Sequence, residues 1–287
     1  MERISIIGLG LIGGSLGLSL KKAKGAEVDI TGFSRRPETM VMAKACGAID
    51  KIAGDMASAV AQANMVFIST PVMAIKDVLE RISGYLPPRC IVTDAGSTKA
   101  QVMLWAEEYL PPEVNFIGGH PMAGKETYGI EAADVDLYKN CVYCLTPSSS
   151  ASSQAVQAIT DIVELIGANP LFINAEVHDN LVAGASHLPL LLSAAFVSAT
   201  MGSASWDEMS KVAARSYHDI SRLTSGSPEM NRDICITNRD AIARWIDRYI
   251  EELKEYRKLI FGNDEDLGNA FTYTREAREK WLQEKRR

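Results

Sequence analysis

The chain has few of the residues that mark a disulfide-rich, metal-binding or nucleic-acid-binding protein. Its 287 residues include five cysteines and four histidines, and its charges sum to −6. An acidic balance disfavours nucleic acid and anionic membranes as main partners. Cys141 and Cys144 make one CxxC, but it falls in a predicted strand, where residues three apart point to opposite faces. We therefore expect reduced, mostly buried thiols and no metal site.

One long segment lacks charge altogether. No Asp, Glu, Lys or Arg occurs between Asp179 and Asp207. A membrane span is one interpretation of so apolar a stretch. Polar residues within it, among them Asn180 and His187, disfavour a span, as does the absence of basic flanks. A helix that is apolar all round is otherwise buried in a core or a subunit interface, so we predict a helix at the centre of a homodimer.

What is present begins with a glycine pattern at the N-terminus. A short apolar run, residues 3–7, leads into Gly8-Leu9-Gly10-Leu11-Ile12-Gly13 and then into a helical pattern. In the dinucleotide-binding fingerprint the first glycine permits the turn, the second admits the pyrophosphate, and the third lets helix pack on strand. Backbone N–H groups at the start of the helix favour phosphate. We assign cofactor binding here to Gly8, Gly10, Leu11, Ile12 and Gly13.

The tip of the second predicted strand indicates which dinucleotide is bound. Residues 28–33 read as a strand, and Ser34-Arg35-Arg36 follows. Enzymes that use NAD usually place Asp or Glu here to bind the ribose 2′-OH. A hydroxyl and two guanidinium groups suit a 2′-phosphate instead, since arginine offers planar, charge-assisted donors. We expect NADP as the preferred cofactor, with NAD possible; a solvated basic turn is the alternative.

The pattern along the chain separates two regions. Strands and helices alternate up to about residue 170, which predicts a mostly parallel Rossmann-type sheet with helices on both faces, an α/β domain spanning 1–173. Thr70 and Pro71 follow another such strand and are further candidates for cofactor binding, because ligands bind beyond the carboxyl ends of parallel strands. From residue 174 the pattern is helical, which predicts an all-helical substrate-binding and dimerisation domain over 174–287.

A histidine stands in a glycine-rich segment after the predicted strand 114–117. The segment reads Gly118-Gly119-His120-Pro121-Met122-Ala123-Gly124 and is predicted to be a loop. Imidazole has the side-chain pKa nearest neutrality, so an accessible, held His120 suits proton transfer. A loop histidine bonded to backbone carbonyls is the other interpretation.

Together these motifs give the chain a resemblance to the prephenate and arogenate dehydrogenases of tyrosine biosynthesis. Besides the glycine turn, the segments that carry it are Asp94–Lys99, Gly118–Glu126, His178-Asp179, Ser186–Pro189 and Asp219–Leu223. The resemblance implies a nucleotide-binding Rossmann domain, a helical dimerisation domain, and oxidation with decarboxylation of a cyclohexadienyl alcohol to a phenol.

The resemblance also implies roles for individual residues. His120 would be the catalytic acid–base group, and Ser97 would hydrogen-bond the substrate hydroxyl and the histidine; a helix N-cap is the alternative use of Ser97. Arg222, His187 and Glu126 would bind substrate. Their alternatives are an interhelical salt bridge for Arg222, a satisfied core histidine for His187, and a solvated carboxylate for Glu126.

Two positions depart from many relatives, and two broader readings stay open. Leu190 and Asn231 stand where many relatives have His and Trp, so prephenate and arogenate are not separated. Another two-domain hydroxyacid or imine oxidoreductase, or a non-catalytic nucleotide-sensing dimer, would share the plan. We also expect a cytoplasmic protein, because no signal peptide precedes the first strand, and no room for the regulatory or mutase domains of some relatives.

Overall fold

The computed structural model of the protein describes residues 1–125 and 127–285. Its first part is built on eight strands that join in a single sheet. The strands are β1 (Glu2–Ile7), β2 (Val28–Phe33), β3 (Lys51–Ile52), β4 (Met65–Ile68), β5 (Ile91–Asp94), β6 (Asn115–Pro121), β7 (Val142–Pro147) and β8 (Asn169–Phe172).

The order of the strands gives the sheet its ligand-binding edge. The order is β3-β2-β1-β4-β5-β6-β7-β8, and every neighbouring pair is parallel except β6 with β7. From β1 the chain adds β2 and β3 on one side and then β4, β5 and β6 on the other. The order therefore reverses between β1 and β4, and dinucleotides bind at such a switch point. The mostly parallel Rossmann-type sheet is thus confirmed. The carboxyl ends of β1, β2, β4, β5 and β6 lie at one edge.

Thirteen α-helices accompany the sheet in the described part of the chain. Those of the alternating region are α1 (Leu11–Lys24), α2 (Pro37–Ala45), α3 (Met56–Val60), α4 (Val72–Ile82), α5 (Ala100–Tyr109) and α6 (Ser153–Leu165). The later ones are α7 (Ala175–Val182), α8 (Leu188–Met201), α9 (Trp206–Val212), α10 (Arg215–Ser221), α11 (Pro228–Thr237), α12 (Arg239–Ile260) and α13 (Asp264–Lys285).

The core consists of two apolar layers, one on each face of the sheet. Strand residues alternate between them, so Ile4 and Ile6 belong to one layer and Ile7 to the other. The first layer packs α1 and α6 against the sheet, and the second packs α4 and α5. Near-continuous burial along β1 and β4 is what a parallel sheet covered on both faces requires. This rigid sheet holds the residues at its carboxyl edge.

Most of the uncharged segment belongs to one helical stretch with an irregular turn. α7 and α8 are joined by the π-helical turn Ala183–His187. By length and composition alone, Ala175–Met201 could cross a membrane. Within it, however, His178, Asp179 and His187 are buried polar residues of the protein core. Such turns often occur at functional sites, and this one positions His187.

The chain separates into two compact units, Met1–Arg239 and Asp240–Arg287. The first holds the sheet and all helices through α11. In the second, the rings of Tyr256 on α12 and Phe271 on α13 lie 5.6 Å apart, and Asn263 caps α13 by accepting from the Asp266 N–H at 2.8 Å. The domain boundary expected at residue 173 stays a prediction.

Candidate active site

The glycine turn after β1 depends on residues that lack a side chain. Gly8 has φ +96°, and a Cβ there would lie 2.6 Å from the carbonyl oxygen of Ser69. A Cβ on Gly13 would lie 1.9 Å from the carbonyl oxygen of Gly8. Both positions therefore exclude larger residues, for the reasons the fingerprint assigns to them.

The start of α1 is arranged to receive an anion. Gly10 occupies the N-cap and has no side chain, so the first backbone N–H groups of the helix, from Leu11 and Ile12 onward, carry no cap from that position. The carbonyl of Ile12 accepts a hydrogen bond from the Tyr138 hydroxyl at 2.6 Å, which holds the first turn in place. Exposed N–H groups at the positive end of a helix suit a pyrophosphate.

Two hydroxyl groups beside this turn also fit a ligand. The Ser69 Oγ and Thr70 Oγ1 atoms, at the end of β4, are buried and have no hydrogen-bond partner within residues 1–125 and 127–285. Pro71 follows as the N-cap of α4. Buried hydroxyls are normally hydrogen-bonded, so these two are consistent with a cofactor that supplies the partner. At the tip of β2, Ser34 is half-buried, and Arg35 and Arg36 are exposed.

A buried ion pair lies beneath the ends of β5 and β6. Lys99 Nζ contacts Asp94 Oδ2, and both side chains are fully buried. The carboxylate also accepts from the N–H of Gly96 at 2.7 Å and from that of Gly119 at 3.1 Å. Burial lowers the pKa of Lys99, and Asp94 opposes that shift. The pair links the turn after β5 to the strand that carries His120.

The structure corrects the position of His120. The residue was expected in an accessible loop, but it lies within β6, opposite Cys144 of β7, and only 9% of its surface is exposed. On one side of β6, the parallel pairing with β5 reaches only Ile117. On the other side, the antiparallel pairing with β7 continues as far as Pro121, which lies opposite Tyr143. The lack of an N–H on Pro121 is tolerated there because β5, the neighbour on the other side of β6, has already ended at Asp94 and has no ladder bond to lose.

His120 is the first of three side chains in a hydrogen-bonded series. His120 Nδ1 lies 2.9 Å from His178 Nε2, and His178 Nδ1 lies 2.8 Å from Asp179 Oδ1. The two imidazole rings meet edge to face, with centroids 5.1 Å apart. Asp179 in turn accepts from the backbone N–H groups of Lys99 at 2.7 Å and Ala100 at 2.9 Å. The series ties α7 to the start of α5 and to β6.

The surroundings keep His120 neutral. Burial lowers the pKa of His120 well below 6.5, and His178, Lys99 and His187 lower it further. At neutral pH the ring therefore carries one proton and has one nitrogen able to accept another. A buried neutral imidazole at a sheet edge can act as a general base.

His187 lies in the same cluster with an unused nitrogen. Its Nδ1 lies 3.3 Å from the Asn238 amide nitrogen, which also donates to the Asp179 carbonyl at 2.7 Å. Since that amide nitrogen only donates, Nδ1 is the acceptor and Nε2 carries the proton. Nε2 is buried and has no partner in the described part of the chain. Burial lowers the pKa of His187 to about 4, so it stays neutral.

Comparisons with known proteins identify the family of this chain. Residues 16–171 match the nucleotide-binding domain of prephenate dehydrogenase, and residues 174–274 match its dimerisation domain. The chain belongs to the prephenate dehydrogenase family. It is 35% identical over 280 residues to the prephenate dehydrogenase of Bacillus subtilis, covering 97% of this chain and 75% of that protein.

Solved structures of the family have the same fold. The crystal structure of arogenate dehydrogenase from Synechocystis is 29% identical, with a TM-score of 0.82 over 97% of this chain and 99% of that one. Prephenate dehydrogenase from Aquifex aeolicus, in complex with hydroxyphenyl propionate and NAD⁺, is 26% identical, with a TM-score of 0.91 over 98% of both chains. A family member with this plan thus binds a nicotinamide dinucleotide.

The remaining candidate site residues, Ser97, Arg222 and Glu126, differ in where they lie. Ser97 is half-buried in the turn between Asp94 and Lys99; it does not cap α5, whose first N–H groups bond to Asp179 instead. Arg222 begins the 3₁₀ turn Arg222–Ser225 and is exposed. Glu126 lies outside the described residues. The structure therefore brings His120 and His187 into one cluster, with Ser97 on an adjoining turn.

Sequence reasoning assigned no role to several members of the cluster. His178 and Asp179 appeared only as a family motif, and Asn238 was not identified at all. Asn238 follows α11, far along the chain from the residues that it bonds. The available signal was the scarcity of histidine: of four in the chain, three are buried together and His218 is exposed.

Proposed function

We propose that this protein oxidatively decarboxylates prephenate or arogenate, forming 4-hydroxyphenylpyruvate or tyrosine, in tyrosine biosynthesis. It is a nicotinamide-dependent dehydrogenase, as its family membership and glycine turn support. The observation that carries the proposal is His120, a buried neutral imidazole at the same sheet edge as that turn. β1 and β6 are three strand spacings apart, about 14 Å, so a dinucleotide can lie across the intervening strands.

His120 and Ser97 divide the work on the reacting hydroxyl. The bound nicotinamide supplies the hydride acceptor. His120 takes the hydroxyl proton as the alcohol is oxidised, and Ser97 hydrogen-bonds the same hydroxyl and holds its direction. Loss of the ring carboxylate as CO₂ then leaves an aromatic ring. Because aromatisation is strongly favourable, the main task of the protein is to position substrate and cofactor.

The carboxylates of the substrate need donors. His187 offers an Nε2–H that has no partner among the described residues, and a neutral donor in a buried site binds an oxygen without the cost of desolvating a charge. Arg222 supplies the cation for a carboxylate, and Glu126 keeps the substrate-binding role that the family resemblance gives it. The departures at Leu190 and Asn231 leave both prephenate and arogenate as substrates to be tested.

NADP is the preferred cofactor in this proposal, with NAD as the alternative. No carboxylate follows β2 at positions 34–36, where Ser34, Arg35 and Arg36 stand. The exposed guanidinium groups suit the 2′-phosphate of NADP.

The protein acts as a homodimer in the cytoplasm. The family match over residues 174–274 is to a dimerisation domain. In the single chain α8 is apolar, yet only Leu188 and Ser193 of its residues are buried. A soluble monomer rarely leaves so large an apolar surface exposed, so a second copy covering α8 accounts for it.

Steady-state kinetics test the proposal. We expect NADPH formation with prephenate, arogenate or both, a higher kcat/KM with NADP than with NAD, and a dimer by light scattering. Arg222→Gln should raise the KM of the substrate by about 10–150-fold, the worth of one hydrogen bond to a charged group, with a small change in kcat. Activity only on other hydroxyacids or imines, or cofactor binding with no turnover of either substrate, would refute the proposal.

A further inference from the structure

The donor and the acceptor of each hydrogen bond behind His120 can be assigned in turn, starting from Asp179. The Asp179 carboxylate accepts the N–H groups of Lys99, the N-cap of α5, and of Ala100, its first residue. It also lies 2.8 Å from His178 Nδ1. In both backbone bonds the N–H is the donor, so both carboxylate oxygens of Asp179 act as acceptors. An ionised carboxylate only accepts, so the proton between Asp179 and His178 belongs to His178 Nδ1.

The proton position on His178 in turn determines the proton position on His120. When His178 carries a single proton, on Nδ1, its Nε2 has a lone pair. That atom lies 2.9 Å from His120 Nδ1, so His120 must donate there and its own proton is on Nδ1. The lone pair of His120 is then on Nε2, the nitrogen that remains for a ligand.

We propose that His178 is a positioning residue, which Asp179 orients and which holds His120 in the Nδ1–H tautomer with Nε2 as the proton acceptor. Its effect on rate rests on the proposed function, but the tautomer does not. With the opposite tautomer, Nε2 would carry a hydrogen and could not take a proton from a substrate hydroxyl.

The groups around the two rings are compatible with this assignment. His120 faces His178 on α7, the Lys99 ammonium at the start of α5, and His187 in the π-helical turn. Lys99 is already paired with Asp94, and Asn238 occupies Nδ1 of His187. Among the described residues, His178 Nε2 is the acceptor that lies within hydrogen-bond distance of His120 Nδ1. The tautomer of His120 therefore depends on His178.

A spectroscopic experiment tests the tautomer without any substrate. The chain has four histidines, so ¹⁵N-histidine labelling of the full-length protein gives a simple long-range ¹H–¹⁵N spectrum. The exposed His218 is assigned with His218→Gln. At pH 7.5 we expect the His120 and His178 rings each to carry a proton on Nδ1 and none on Nε2. A proton on His120 Nε2, or an imidazolium at His178, would overturn the proposal.

Kinetics test the consequence for catalysis. His178→Phe keeps a ring but has no acceptor, and we expect kcat to fall by about 10²–10⁴-fold, as when a catalytic histidine takes the wrong tautomer, with little change in KM. His178→Gln retains an oxygen acceptor and should recover at least about 10-fold of that loss, since the hydrogen bond to His120 is restored. Thr98→Val is the matched control, because it breaks the half-buried 2.9 Å bond to Thr237 at the same junction and touches neither ring.

A double-mutant cycle separates positioning from packing. In a His120→Asn background, His178→Phe should cause almost no further loss of kcat, because its effect passes through His120. A further loss as large as in the wild type would overturn the proposal and make His178 a packing residue. Failure of the proposed function would appear as absent turnover in the wild type, while the spectrum would still report the tautomer.

Discussion

The glycine turn and the histidine cluster lie at one edge of the same sheet, but different forces hold them. The turn is backbone: Gly8 and Gly13 leave no space for a Cβ, and no titratable side chain takes part in that close contact. The cluster consists of side chains joined by hydrogen bonds, from His120 through His178 to Asp179. The glycine turn is therefore sensitive to side-chain volume, and the histidine cluster is sensitive to the positions of its protons. Binding and chemistry should therefore respond separately to mutation and to pH.

The largest expected effect comes from His120→Asn. The change removes the proton acceptor, so we expect kcat to fall by about 10²–10⁴-fold, the usual worth of a positioned general base. The KM for substrate and the affinity for NADP should change little, because the glycine turn is untouched. Near wild-type kcat in a folded, NADP-binding variant would show that His120 is only structural.

Next in size is cofactor discrimination at the tip of β2. Arg35→Ala or Arg36→Ala should weaken NADP binding by about 10–150-fold, since each removes a charged hydrogen bond to the 2′-phosphate. NAD binding should change far less. Arg81→Ala is the matched control, an exposed arginine in the last turn of α4, at the end away from the carboxyl edge. Equal losses for NADP and NAD would contradict the assignment.

Substitutions at Gly10 and Gly13 test whether the glycine turn is limited by space for a Cβ. Gly13→Ala places a Cβ 1.9 Å from the Gly8 carbonyl oxygen, and we expect the free energy of unfolding to fall by about 1–3 kcal/mol. A Cβ on Gly10 meets nothing within 4 Å, so Gly10→Ala should fold normally and lose only dinucleotide affinity. Urea unfolding and cofactor titration measure the two effects. Equal destabilisation by both variants would refute this account of the turn.

The last expected effect is a loss of stability in acid, which arises from the cluster. The pKa of His187 is about 4 in the folded chain against 6.5 ordinarily. Above pH 6.5 neither state binds the proton, while between 6.5 and 4 only the unfolded chain does. Stability therefore falls as the pH drops through this window, by about 1.4 kcal/mol per unit for each such histidine.

Urea unfolding at pH 7 and pH 5 measures this slope, and two variants locate its source. His187→Gln should make the slope shallower. His218→Gln, a substitution of the exposed imidazole, is the comparison variant. A slope that is the same in all three proteins would show that His187 does not contribute.

The sequence by itself determined the elements whose geometry is local. Gly8–Gly13 between a strand and a helix specifies a dinucleotide turn, because the steric demands act over six neighbouring residues. The strand–helix alternation specified a mostly parallel sheet and hence an edge where Ser34, Thr70, Ser97 and His120 could meet. The uncharged stretch after Asp179 marked the helix that the family match assigns to a dimerisation domain.

Only the tertiary structure decided what surrounds His120. Its place in a strand depends on pairing with β7, more than twenty residues onward, which no local pattern reports. The contacts of Asp179 with α5, and of Asn238 with Asp179 and His187, join segments about 50 to 80 residues apart. Burial lowers the pKa of both His120 and His187, and burial is a property of the packed chain. The proton positions in the cluster follow from contacts that exist only after the helices pack on the sheet.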